Sequence, residues 1–201
     1  MKIKRIDNYT NELFSQIVLN QRGAFLVDEK PYEVEIISND SAIVRGKNSN
    51  FFEKIIEEFR YYSPHITNFF DEENKKICSF EKENILKLKI NTIQPSQFYV
   101  DKDKVNALEN FIKKSEDIVI QVVNYNDEYV CVDGHTRLFM AMLKNFKNVY
   151  AIETDFDKDT AYFVSQAKNK NIFTIKDLKL VSHSDYKKLW IDFCDSYFNI
   201  D

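Results

Sequence analysis

A chain of 201 residues with only three glycines has few places where the backbone can reverse without strain, and one of them lies within Tyr129 to Leu143, YVCVDGHTRLFMAML. Gly134 separates two apolar patterns of different period. Tyr129-Val130-Cys131-Val132 is β-branched, aromatic or buried in type and reads as a strand. After the glycine, Leu138, Ala141 and Met142 fall on one helical face, which Phe139 and Leu143 widen. The expected unit is a strand, a tight turn and a helix start. At such a start the first N–H groups lack intrahelical partners and the helix dipole is positive, so the position suits an anion. Asp133, His135, Thr136 and Arg137 add polar chemistry to the same turn. Arg137 offers a planar fork for phosphate oxygens, Thr136 a hydroxyl, and His135 a donor or a proton shuttle. A simpler reading stands beside this one: Asp133 and Thr136 cap the helix, and Arg137 is a solvated first-turn residue.

Composition bounds the partners. The hydrophobic fraction of 44% and the aromatic fraction of 14% suit a globular core, and 201 residues can bury a sizeable one. A net charge of −4 means that any phosphate affinity is local, which counts against nonspecific DNA binding. Cys78, Cys131 and Cys194 are widely spaced with no CxxC pair, so buried, reduced thiols are expected, not a disulfide frame or a zinc site. No apolar run approaches the roughly 20 residues that cross a bilayer, and the start lacks a signal-peptide core. The expected location is cytoplasmic.

Along the chain, residues 1–22 carry a short amphipathic helix pattern, with Leu13, Phe14, Ile17 and Val18 toward a core. Residues 24–27, 32–37 and 41–45 read as three strands of an antiparallel meander, with turn chemistry between them. Apolar spacing over Asn50 to Tyr62 predicts a helix that Pro64 ends. The polar run Asp71 to Lys76 is a turn or boundary and reads as part of the junction to the next module, and Ile85 to Ile90 alternates as an edge strand of the next sheet. Residues 104–114 and 160–167 read as helices, 118–124 and 149–153 as strands, and Ile175 to Leu178 as a short element. A final helix over Ser184 to Phe198, capped by Ser182 or Ser184, presents Leu189, Trp190, Phe193 and Tyr197. His65 and His183 read as surface or capping residues, with no metal-ligand spacing around either. Arg22, before Gly23, is a weak phosphate-site candidate, explained equally well by a helix-ending glycine.

The opening Ile90-Asn91-Thr92-Ile93-Gln94-Pro95-Ser96-Gln97, the helix and strand after it, and the turn Asp133-Gly134-His135-Thr136-Arg137 together resemble the ParB/sulfiredoxin superfamily. The resemblance covers about a third of the chain and comes nearest the free serine kinase branch, whose Asp-Gly-His-His-Arg differs only at Thr136. It implies an α+β fold: a mixed-sheet ParB-like nucleotide-binding domain over 81–157, preceded by a helix and β-meander module over 1–80. A helical extension over 158–201 follows. In such a domain Gly134, His135, Thr136 and Arg137 would hold the phosphates of ATP, ADP or CTP, with Mg²⁺ bridging their oxygens. Asp133 would orient the metal or the acceptor, and His135 would donate to phosphate, making these two the catalytic candidates. Ser96, Gln97 and Asp101 would lie on the substrate side, and no protein metal site is expected. Sulfiredoxin chemistry is not implied, since its reactive cysteine is replaced by His135. Gln97 stands where the serine kinases carry a glutamate base, and an amide does not accept a proton near neutral pH. Asp101 and Asp103 are the nearest carboxylates, and either could instead cap the helix before Val105. The resemblance therefore implies a nucleotide-binding protein with phosphotransfer to a small hydroxylated metabolite. The alternative is a nonenzymatic, nucleotide-sensing or DNA-associated adaptor. A homodimer is left open.

Overall fold

The computed structural model describes residues 2–6, 8, 10–109 and 111–198. The chain divides into two compact units, Met1–Asn84 and Ile85–Asp201, each with its own apolar core.

The first unit is a six-stranded sheet in sequential order, built from β1 (Ile3–Arg5), β2 (Ala24–Val27), β3 (Lys30–Ile36), β4 (Ser41–Gly46), β5 (Asn68–Phe70) and β6 (Lys76–Ser79). The expected meander is its centre. Asp28 and Glu29 both take positive φ, 47° and 63°, the two-residue hairpin geometry that matches strand twist. Tyr32 and Val34 are buried as the alternation requires, while Ile36 is only partly so. The helix α2 (Phe52–Tyr62) lays Phe52, Ile55, Ile56 and Phe59 on that sheet, and Phe59 meets Phe69 edge-on at 6.2 Å.

Three expectations for this unit are corrected. The N-terminal helix is only α1 (Gln16–Asn20), and Ser15 caps it; Phe14, Val18 and Leu19 are buried, but Leu13 and Ile17 are exposed. One short turn of helix presents a single narrow face, so the side chains beyond it point away. Residues 71–76 form no junction between units: Asp71 Oδ1 accepts from the N–H groups of Glu73 and Lys75, closing the β5–β6 hairpin. Arg22 itself carries the positive φ of 60° at the end of α1, and its guanidinium lies 6.0 Å from the Tyr62 ring centre. Gly23 answers a different need, since a Cβ there would fall 1.8 Å from the Val34 carbonyl oxygen.

In the second unit β7 (Ile85–Lys89), β8 (Ile93–Pro95), β10 (Val119–Tyr125), β11 (Glu128–Asp133) and β12 (Asn148–Glu153) form a mixed sheet in the order 7-12-10-11-8. Its outer strand β7 pairs antiparallel with β12, β12 runs parallel to β10, and β8 runs parallel to β11. The β10–β11 hairpin again closes through two positive-φ residues, Asn126 and Asp127. A separate strand, β9 (Tyr99–Asp101), leads into α3 (Lys102–Glu109). The helix is shorter than expected, although Ile112 N–H still bonds to the Leu108 carbonyl at 3.0 Å just beyond it. The architecture is α+β, and between Ile90 and Glu153 the expected helix, strand, turn, helix and last strand follow in that order, with β9 added.

After β12 come α5 (Lys158–Asn169), β13 (Lys179–Val181), α6 (His183–Tyr186) and α7 (Asp192–Phe198), with a wide π turn over Lys187–Ile191 between the last two. The final helix is thus one run with an inserted residue, not a regular helix. Ser182 caps it through Asp185 N–H, and Trp190 and Phe193 pack 5.0 and 5.2 Å from the buried Phe98 ring. β13 was not foreseen. It pairs parallel with β9, setting Val181 opposite Asp101.

Strand β11 passes into α4 (His135–Leu143) through Gly134, at φ 96° and ψ 18°. A Cβ on Gly134 would lie 2.8 Å from Ile120 Cγ2 and 3.2 Å from Arg137 Nε. Gly134→Ala combines left-handed strain with this clash, and we expect a loss of about 2 kcal/mol or more in urea unfolding. A loss below about 0.5 kcal/mol would show that the turn does not need its glycine.

Candidate phosphate-binding turn

The N-cap of helix α4 is Gly134, which has no side chain of its own to offer, and Leu138 N–H bonds to the Gly134 carbonyl 2.9 Å away. Asp133 reaches forward to the first turn of this helix. Its Oδ2 lies 2.7 Å from Arg137 Nη2, an ion pair one helical turn apart, with side chains 31% and 15% exposed. Strand β11 delivers the carboxylate, α4 delivers the guanidinium, and the left-handed glycine folds one onto the other. Thr136 is buried on the same first turn.

His135 points inward. Its side chain is buried, and its Nε2 accepts the Ser96 backbone N–H at 3.1 Å, with the Ser96 hydroxyl 3.4 Å away. Ser96 Oγ in turn donates to the Cys131 carbonyl at 2.8 Å. The end of β8, the body of β11 and the start of α4 are thereby tied at one point. Burial pushes the imidazole pKa down to about 4, against a smaller opposing pull from Asp133 and a hydrogen bond to the Cys131 backbone. The ring is neutral at pH 7, and an acceptor at Nε2 carries its proton on Nδ1. The Cys131 thiol, fully buried and near Asp133, is held well above its ordinary pKa and is no nucleophile.

The other expected site residues fall into two groups. Ser96 and Gln97 follow β8 directly and are buried, with Ser96 against His135 as described. The Gln97 amide nitrogen donates to the Tyr99 carbonyl and lies 3.5 Å from the Tyr186 hydroxyl. Asp101 has no exposed side-chain surface and faces elsewhere: its Oδ1 accepts Asp103 N–H at 2.9 Å, capping α3, and its Oδ2 lies 2.7 Å from His183 Nδ1. His183, expected to be a surface or capping residue, thus reaches a buried carboxylate from 82 residues away. No local spacing could have signalled that pair, because the β9–β13 pairing makes it. Gln94 was also passed over; its buried amide donates to the carbonyls of Pro95 and Ile172 and fastens β8 to the loop after α5.

No family model and no curated protein matches this chain. Among solved structures it is similar to protein Atu1540 from Agrobacterium tumefaciens, with 16% identity and a TM-score of 0.36 over 48% of this chain and 61% of that one. It is also similar to the C-terminally truncated chromosome-partitioning protein ParB from Caulobacter crescentus complexed with CTP-γ-S. There the identity is 19% and the TM-score 0.33, over 44% of this chain and 53% of that one. The matched part is less than two thirds of either protein. Among the described residues, no helix is long and apolar enough to cross a membrane.

The depressed imidazole pKa makes a signed prediction. Between about pH 6.5 and 4 the unfolded chain binds a proton at His135 that the folded chain does not, so stability is full above pH 6.5 and is lost as pH falls toward 4. The loss expected is about 3 kcal/mol. Urea unfolding of wild type and His135→Gln across this range should show the variant with the flatter profile. Parallel profiles would mean that His135 is not buried neutral.

Proposed function

We propose that the second unit is a nucleotide-binding domain of the ParB/sulfiredoxin type, holding the phosphates of ATP, ADP or CTP at the Gly134 turn. The observation that carries the reading is a nine-residue helix entered directly from a strand through a left-handed glycine, with an arginine set over its first turn. The N–H groups of His135, Thr136 and Arg137 are the ones an α-helix cannot satisfy itself, and they sit at the positive end of its dipole. A phosphate at that point gains charge-assisted bonds from the backbone and from the guanidinium fork.

Asp133 then has a defined part. Without an anion, its carboxylate neutralises Arg137; when phosphate arrives, it competes for the same guanidinium. Mg²⁺ carried by a polyphosphate would find a hard oxygen ligand in Asp133, which is the fit this turn offers to the metal. His135 acts one layer below. As a neutral acceptor for Ser96 N–H it fixes where α4 begins, and so where the N–H groups point.

Binding without transfer to a hydroxyl is the reading this turn supports best. Such transfer needs a base: Gln97 is an amide, His135 uses Nε2 on the Ser96 amide, and the carboxylates of Asp101 and Asp133 are engaged by His183 and Arg137. A sensing or adaptor role follows, and the acidic balance of the chain favours a nucleotide over DNA as its ligand.

Arg137→Ala should weaken ATP, ADP or CTP binding in calorimetry by at least about tenfold, the worth of a charge-assisted bond. Its circular dichroism should match wild type, and Arg137→Lys should recover part of the affinity. Equal affinity in Arg137→Ala, or no binding of any of the three nucleotides by wild type, would reject the proposal.

A further inference from the structure

A carboxylate with no exposed surface is costly unless its charge is answered, and Asp101 is such a group. Its capping role in α3 accounts for Oδ1 alone. Its other oxygen meets His183 Nδ1 at 2.7 Å, and the carboxylate of Asp103 is close by: one ligand atom from each of the three side chains lies within 4.8 Å of the others. A helix cap has no need of an imidazole brought from 82 residues away, and a second carboxylate adds repulsion to the cluster. Two segments distant in sequence converge here, the β9–α3 passage with both aspartates and the start of α6 with His183. The parallel β9–β13 pairing sets Val181 opposite Asp101 and holds them together.

We propose that Asp101, Asp103 and His183 form a binding site for a first-row transition dication such as Mn²⁺, Co²⁺ or Zn²⁺. Two carboxylate oxygens and one imidazole nitrogen are a donor set that such ions accept, whereas Ca²⁺ and Mg²⁺ favour oxygen alone. A dication removes the repulsion between the aspartates and answers the buried charge at once. His183 binds as neutral imidazole through Nδ1, keeps its proton on Nε2 and releases any Nδ1 proton to water. Asp103 and His183 are both exposed, so the site opens to solvent and its remaining coordination positions take water or an anionic oxygen. None of the three residues belongs to the Gly134 turn, so the site does not depend on the nucleotide reading.

The full chain, stripped with EDTA and without nucleotide, would be titrated with Mn²⁺ by electron paramagnetic resonance, with Co²⁺ by visible absorption and with Zn²⁺ by calorimetry. His183→Gln and Asp103→Asn change exposed groups and leave Asp101 in place, so both should fold. Each should weaken binding by at least about tenfold, a loss typical of a disturbed metal site, and His183→Gln should alter the Co²⁺ spectrum. Arg137→Ala should bind the metals as wild type does, which separates failure of this site from failure of the phosphate turn. Absence of binding by wild type, or equal affinity in both variants, would overturn the proposal. The Asp101–His183 contact would then be a structural clasp only.

Discussion

Where Ile120 packs on strand β10 there is no room for a side chain at position 134, and much of the second unit follows from that contact. Because Gly134 can sit at φ 96°, β11 passes into α4 without an intervening loop. The direct passage brings Asp133 and Arg137 within 2.7 Å and turns His135 inward to Ser96. A bulkier residue would have to move the helix, and the ion pair, the Ser96 bond and the direction of the helix's first N–H groups would move with it. The turn's polar groups therefore share one support, the backbone at Gly134.

Much of this could be read from the sequence because the signals are local. A change of apolar period across one glycine marks the β11–α4 boundary, and alternation marks β3 and the outer strand β7. Positive-φ turns fall at Asp28-Glu29, within the polar break expected there. What sequence could not resolve is where each polar side chain in the turn would go. Asp133 and Thr136 are both competent caps, and Arg137 is a competent solvated residue; only the backbone angle at Gly134 decides that Asp133 turns to Arg137. His135 shows the limit most clearly. Its type suggests a donor or shuttle, yet burial and the Ser96 amide make it a neutral acceptor.

The remaining surprises are long-range. Strand β13 is three residues with two exposed, so it has no periodicity to betray it, and it exists because β9 offers a parallel edge. That one pairing carries His183 to Asp101 and lays the final aromatic run over Phe98. The Asp71–Lys76 run misled for the opposite reason. Its polar composition is what a linker and a hairpin turn have in common, and the hydrogen bonds to Asp71 Oδ1 that distinguish them are absent from any one-dimensional pattern.

Chemical shifts of the backbone amides test the central claim most directly. In a ¹⁵N-labelled protein titrated with CTP, ATP and pyrophosphate, the N–H signals of His135, Thr136 and Arg137 should move furthest, and pyrophosphate alone should reproduce most of the shift. Signals from these three residues that stay fixed while others move, or that do not respond to any polyphosphate, would contradict the assignment of this helix start as the phosphate site.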